Sequence, residues 1–272
     1  MAKRFSIITP IYLGEDHEKE RRLQLFPKTI ESVKNQTYRD FEHIIVNDGS
    51  TIPLEIPNYP WIKIIDQNNL QRLTAYSNGF KEAKGEILWC LDSDDELEPQ
   101  ALETVDKFYR KYPKYKIFNF GCTHVHSDGV STHRAAFRPK RKKVGHEIFG
   151  GGNIVNGTFV FHRSVWEDLG GFMPPEINNI DCTEVAYFAH RGDEKPYVRD
   201  LFNTSPYDFS AYMQLKYPEI QQFFMTKHPD HPDGLVRELG NPWGQDYALF
   251  YIYTRKYHSK PIDEYLLKVN LK

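Results

Sequence analysis

Between Phe5 and Asp95 the sequence alternates four short apolar runs with stretches of helical period. The runs are FSIITPIY (5–12), FEHIIVNDGS (41–50), WIKIIDQ (61–67) and EILWCLDSDD (86–95). They are rich in β-branched and aromatic residues and end in turn-forming polar residues, which reads as buried strands. Between the first two, Leu25, Ile30 and Val33 fall near helical spacing, after a charged stretch (13–24) expected as an exposed loop or helix start. TAYSNGFKEAKG (74–85) reads as a helix ended by Gly85. Strand, helix and strand at this spacing build parallel βαβ units. The expected fold is therefore α/β, a mostly parallel Rossmann-like sheet flanked by helices.

In such sheets ligands gather at the carboxyl ends of the strands. Three polar motifs fall there: TPIY, NDGS and DSDD. The last is the densest, with Asp92, Asp94, Asp95 and Glu96 in five positions. Like charges so close repel one another. Residues two apart along a strand share a side, so Asp92 and Asp94 are expected together, with Asp95 at the turn. A divalent cation relieves that repulsion, and oxygen-only ligands favour Mg2+ or Mn2+ over zinc. The bland reading of the same residues is a solvated acidic turn, because DDELEPQALETV (94–105) also carries a helix start.

Of the 272 residues 40% are hydrophobic, enough for a sizeable core. The net charge of -2 gives no global reason to expect nucleic acid as a partner. Cys90, Cys122 and Cys182 are odd in number and far apart, which argues against a disulfide framework and for a reducing compartment. The N-terminal apolar stretch is too short for a signal peptide, and no later run is long enough to cross a bilayer. A soluble, cytoplasmic protein is expected.

The second half is less regular. KIFNFGCTHVH (116–126) reads as another strand. A Gly-rich loop follows at 150–153, then a strand at 158–162 and a short helix stopped by Gly170 and Gly171. Val185, Phe188 and Ala189 have helical spacing, with Asp181 as N-cap. The tail is aromatic and Pro-punctuated, and YALFYIYTRKYH (247–258) reads as a helix. A helical aromatic extension over 201–272, packed on the core, is expected.

SIITPIY, NQTYRDFEHIIVNDGST and AKGEILWCLDSDDELEP, in that order and spacing, resemble the family 2 glycosyltransferases. GTFVFHRSVWEDLGGF and IDCTEVAYFAHRG are similar to that family's acceptor-side half, so the resemblance covers residues 5–199. It implies a GT-A fold over 1–200, with the nucleotide-sugar half at 1–100 and the acceptor half at 101–200. It implies that Thr9, Pro10 and Tyr12 line the nucleotide pocket and that Asp48 holds the base. Arg72, 22 residues before Asp94, would contact the nucleotide, and Asn78 sits at a position that is often Asn. Asp92, Ser93 and Asp94 would form the DxD motif, with Asp94 or Asp95 meeting Mn2+ or Mg2+. Asp181 stands where the second acid of an ED pair supplies the catalytic base. Two departures stand out. Leu13 follows P-x-Y where the family often has Asn, and Ile180 replaces the first acid of the pair. Glu184, one helical turn on, and Glu176 are rival bases.

The implied activity is inverting, metal-dependent transfer of a sugar from a nucleoside-diphosphate sugar, a UDP-sugar favoured, to a glycan or lipid-linked acceptor. Two other readings compete with it. A nucleotidyltransferase would need a Gly- and base-rich phosphate loop near the first strand, which TPIYLGED lacks. A degenerate relative that binds nucleotide-sugar or glycan without turnover remains open while the ED pair is incomplete. Each single residue also has a plainer reading: Asp48 as an Asp-Gly turn residue, Arg72 as a surface arginine, Asn78 as a brace of its own helix. RPKRKK (138–143) reads as a solvated loop or as a contact for a lipid-linked diphosphate or the face of a membrane. GGGN matches neither standard phosphate cradle. HPDHPD (228–233) reads as a Pro-rich turn. His124, His126 and His162 are weak candidates for an added metal ligand. Trp243 is expected to pack the tail rather than meet a sugar. Oligomeric state is not encoded in any pattern found.

Overall fold

The structure, a computed structural model, describes residues 3–68, 71–136, 157–169, 253 and 257–271. Its elements in chain order are β1 (Phe5–Ile11), α1 (Lys19–Lys34), β2 (Phe41–Asp48), β3 (Ile62–Gln67), α2 (Gln71–Glu82), β4 (Ile87–Cys90), β5 (Asp95–Leu97), α3 (Ala101–Lys111), β6 (Ile117–Val125), β7 (Ser131–Arg134), β8 (Phe159–His162), α4 (Arg163–Leu169) and β9 (Ser259–Asn270). They form one nine-stranded sheet in the order β3-β2-β1-β4-β8-β6-β9-β5, with β7 paired to β6.

The first four strands of that order are parallel, as the sequence pattern predicts. β1 is buried at every position because strands flank it on both sides and helices cover it. That is why it reads as a continuous apolar run rather than an alternating one. α1 turns Phe26, Thr29, Ile30 and Val33 inward. α2 crosses β1 so closely that a Cβ at Gly79 would sit 2.4 Å from Ile8 Cγ2. The larger core cluster gathers Phe5, Phe41, Trp89, Leu102, Phe118 and Leu267 among its members. Trp89 is wholly buried, and its Nε1 donates to the Gly157 carbonyl at 2.8 Å.

Beyond β4 the sheet becomes mixed. β8 runs antiparallel to both β4 and β6, while β9 runs parallel to β6 and antiparallel to β5. α1 starts at Lys19, inside the charged stretch, as the helix-start reading of that stretch allows; its inward face begins only at Phe26. The sequence reading differs from the structure in two respects. β4 ends at Cys90, earlier than the run EILWCLDSDD suggested. The tail is not helical over 259–270; it forms β9, inserted between β6 and β5. Pro261 and the Asp263–Glu264 pair disguise this strand. Its register against β6 shifts around Gly121, so its burial does not alternate cleanly; Ile262, Leu266, Leu267 and Val269 face the core. Most of the expected helix at 247–258 lies outside the described residues, although buried Tyr253 packs edge-on against Phe161 at 4.9 Å. No helix among the described residues is long and apolar enough to cross a membrane.

Candidate active site

The carboxyl ends of β3, β2, β1 and β4 lie along one edge of the sheet. Asp48 closes β2 and is buried. The chain turns away behind it at Gly49, whose φ of 73° suits glycine. Asp48 faces Gln67, the last residue of β3, in the strand register. Gln67 Nε2 donates to Asp48 Oδ1 at 2.7 Å, and Asn78 Nδ2 on α2 donates to Gln67 Oε1 at 2.8 Å. Asp48 and Asn78, both singled out by sequence, are therefore linked through a residue that sequence reasoning missed. The available signal was position, since Gln67 ends a strand in the same row as the three motifs.

β1 contributes the middle of this edge. Pro10 is buried, and Tyr12 is half-buried with the Arg22 guanidinium 5.8 Å above its ring. Thr9 points elsewhere: its Oγ1 is 2.8 Å from Nε2 of wholly buried His43. Burial pushes the His43 imidazole down to about 3, so it is neutral at physiological pH.

After β4 the acidic residues form a turn rather than a strand end. Leu91 and Asp92 leave the strand, and the Asp95 N–H donates back to the Asp92 carbonyl at 3.2 Å. The expected strand-like alternation of Asp92 and Asp94 is thus replaced by turn geometry. α1 and α2 hold this turn from two sides. Tyr76 on α2 donates to Asp92 Oδ1 at 2.7 Å. Thr29 on α1 donates to the Ser93 carbonyl at 3.0 Å. Arg21, near the start of α1, pairs with the Asp94 carboxylate. From β9, Asn270 Nδ2 donates to the Asp94 carbonyl at 2.7 Å and its N–H to Asp95 Oδ1 at 3.3 Å.

The three carboxyls differ in environment. Asp95 is 3% exposed, within β5. Burial, then the charges of Asp94 and Asp92, hold it well above the usual carboxylate range. Asp94 is raised by the same burial and by Asp92, with the Arg21 guanidinium opposing. Among the described residues no group of three His, Cys, Asp or Glu side chains is arranged to hold a metal ion. Asp92 and Asp94 nevertheless fit an ion that takes one or two carboxylates and completes its shell with water and phosphate, as Mg2+ does. They are partly exposed oxygen donors whose crowding a positive charge relieves. Asp95 is the less accessible of the two expected ligands.

The histidines considered as extra ligands are engaged locally or sunk. His126 Nε2 lies 3.2 Å from Thr132 Oγ1, His162 Nδ1 lies 2.8 Å from Ser164 Oγ, and His124 is buried in β6. Cys90 and Cys122 are buried, as small core residues. Arg72 falls within α2, but its side chain is outside what the structure describes. Asp181, Glu176, Glu184, Cys182, Trp243, the basic run 138–143, GGGN and HPDHPD also lie outside the described residues.

Comparison with known proteins gives a consistent picture. Residues 6–170 match the model of glycosyl transferase family 2. The chain is 33% identical over 108 residues to the uncharacterized glycosyltransferase YibD of Escherichia coli K12, covering 38% of this chain and 29% of that protein. It is 38% identical over 177 residues to a chondroitin synthase of Pasteurella multocida, covering 60% of this chain and 18% of that one. The matched segment is thus less than a third of the length of either relative. Among solved structures, residues 1–349 of S. aureus TarS superpose with a TM-score of 0.50 at 17% identity, covering 88% of this chain and 70% of that one. That likeness bears out the expected GT-A type of α/β fold.

Proposed function

Because the chain belongs to glycosyl transferase family 2, we propose that it moves a sugar from a nucleoside-diphosphate sugar, a UDP-sugar in the first instance, to a hydroxyl of a glycan or glycolipid acceptor. One juxtaposition carries this reading. Asp48, steadied by Gln67, closes β2, and the acidic turn closes β4, with only β1 between them. Two strand spacings make about 10 Å. That is close to the reach of a nucleoside from its base edge to its diphosphate. The Pasteurella relatives, a chondroitin synthase and a hyaluronan synthase, support a glycan as acceptor.

Asp48 would accept a hydrogen bond from the imide N–H of the base. Asp94, beside Asp92, would hold Mn2+ or Mg2+. When bound, that cation neutralises charge on the departing diphosphate. The acceptor hydroxyl must lose a proton as it attacks the anomeric carbon, which requires a carboxylate in place. Asp181 is the proposed base. A single base on the side opposite the leaving group implies inversion. The reading puts the protein in the cytoplasm, with residues 138–143 touching a membrane face where the acceptor is lipid-linked.

Thermal shift with UDP, GDP and CMP, each with and without Mn2+, tests the binding half of this proposal. Stabilisation by UDP that depends on Mn2+ is expected. Release of UDP from a panel of UDP-sugars, with a glycan acceptor present, tests turnover. No Mn2+-dependent stabilisation by any of the three nucleotides overturns the reading.

A further inference from the structure

Arg21 has a place in this site that no sequence motif announces. Its Nη1 donates to Asp94 Oδ2 and its Nη2 to the main-chain oxygen of Asn270. The turn itself does not depend on that guanidinium. Its backbone is held by the Asn270 side chain on the Asp94 carbonyl and by Thr29 on the Ser93 carbonyl. What Arg21 adds at Asp94 is charge, delivered to a carboxylate crowded by Asp92 and Asp95. The pair is accessible, with side chains 23% and 31% exposed, so it can open without unfolding the sheet. A second partner is close by. Glu18 Oε2, at the N-cap of the same helix, lies 4.0 Å from Arg21 Nη1.

We propose that Arg21 stands in for the divalent cation while none is bound, and that an arriving cation displaces it from Asp94 toward Glu18. The inference rests on the reading of the acidic turn as the seat of that cation. Its physical basis is competition. A guanidinium and a dication repel each other and cannot both be nearest neighbours of Asp94 Oδ2. The guanidinium therefore sets how much of the cation's attraction appears as affinity. It also offsets part of the repulsion among the carboxyls of the turn between turnovers.

The test is titration with Mn2+ alone, followed by the electron paramagnetic resonance signal of the free ion. Arg21→Gln is expected to bind Mn2+ about five- to tenfold more tightly than the unaltered chain, the factor for an ion pair worth ~1 kcal/mol or slightly more. Arg21→Lys keeps the charge and should stay near the unaltered value. Glu18→Gln leaves the Asp94 pair intact but removes the alternative partner, and should weaken Mn2+ binding about twofold. It serves as the second probe if Arg21→Gln does not fold. Measurable Mn2+ binding by the unaltered chain with no gain in Arg21→Gln, or with Arg21→Lys as tight as Arg21→Gln, overturns this inference alone. No Mn2+ binding by any of the chains overturns the reading of the turn as well.

Discussion

Gln67 Nε2 lies 2.7 Å from Asp48 Oδ1, and the two residues oppose each other in the β2–β3 register. The carboxylate at the tip of β2 is therefore aimed by the neighbouring strand, which is aimed in turn by Asn78 of α2. In the proposed role, where Asp48 meets one edge of a base, such bracing settles its rotamer before the ligand arrives.

Gln67→Leu removes the donor to Asp48 and the acceptor of Asn78 at similar volume. A hydrogen bond to a charged group is worth about 1.5 kcal/mol or more, so UDP affinity should fall about tenfold. Mn2+ affinity should not change. Calorimetric titrations with each ligand separately check both halves; UDP binding at full strength would show that Asp48 needs no brace.

His43 makes stability depend on pH. Its folded-state value is depressed from 6.5 to about 3 by burial, so the unfolded chain takes up the proton first. The stabilising contribution is present above about pH 6.5 and is lost as pH falls toward 3, at up to ~1.4 kcal/mol per pH unit. Urea unfolding at pH 7, 6, 5 and 4 should show that slope. His43→Asn should flatten it while lowering stability at pH 7, since it disrupts the contact with Thr9. An equal slope in the variant would assign the acid sensitivity to other groups.

Leu267→Ala tests the closing strand. Leu267 is wholly buried and stands in β9 between Cys122 of β6 and Leu97 of β5. Truncating a buried leucine leaves a cavity and costs about 2–5 kcal/mol. Chemical denaturation of the variant should fall in that range. A loss under about 0.5 kcal/mol, the size of an ordinary surface change, would contradict the placement of β9 within the sheet.

Asp181→Asn should keep donor binding and lower kcat by ~10²–10⁴, the usual contribution of a positioned general base. Glu184→Gln should change kcat far less. Single-turnover rates, with UDP affinity measured alongside, separate chemistry from binding. Full activity in Asp181→Asn sends the search for the base to Glu184.

The parallel half of the sheet was legible because its inner strands are buried on both faces. β1 and β4 have no exposed position, so their apolar runs are unbroken. Asp48 and the acidic turn were legible because they follow such runs directly. Gln67 was not, because an amide at a strand end carries no charge or turn signature. Tyr76 was hidden as an ordinary aromatic of α2; only the fold brings its hydroxyl to Asp92. Arg21 lies 73 residues before Asp94 in a stretch that reads as solvated charge. β9 escaped because its pairing with β6 spans some 140 residues and a register shift, and local patterning reports neither.

The position of β9 has a consequence for the order of events during synthesis. Asn270 reaches back 176 residues to the Asp94 carbonyl. A nascent chain can therefore pair β1 through β4 early, with Tyr76 and Thr29 already holding the loop after β4, while the contacts from Asn270 wait until β9 has been made. Contacts of such long sequence separation form late and slowly. The acidic turn should thus complete its hydrogen bonding only after β9 has paired with β6, and a chain clipped before β9 should keep the Gln67–Asp48 bridge while lacking the Asn270 clasp.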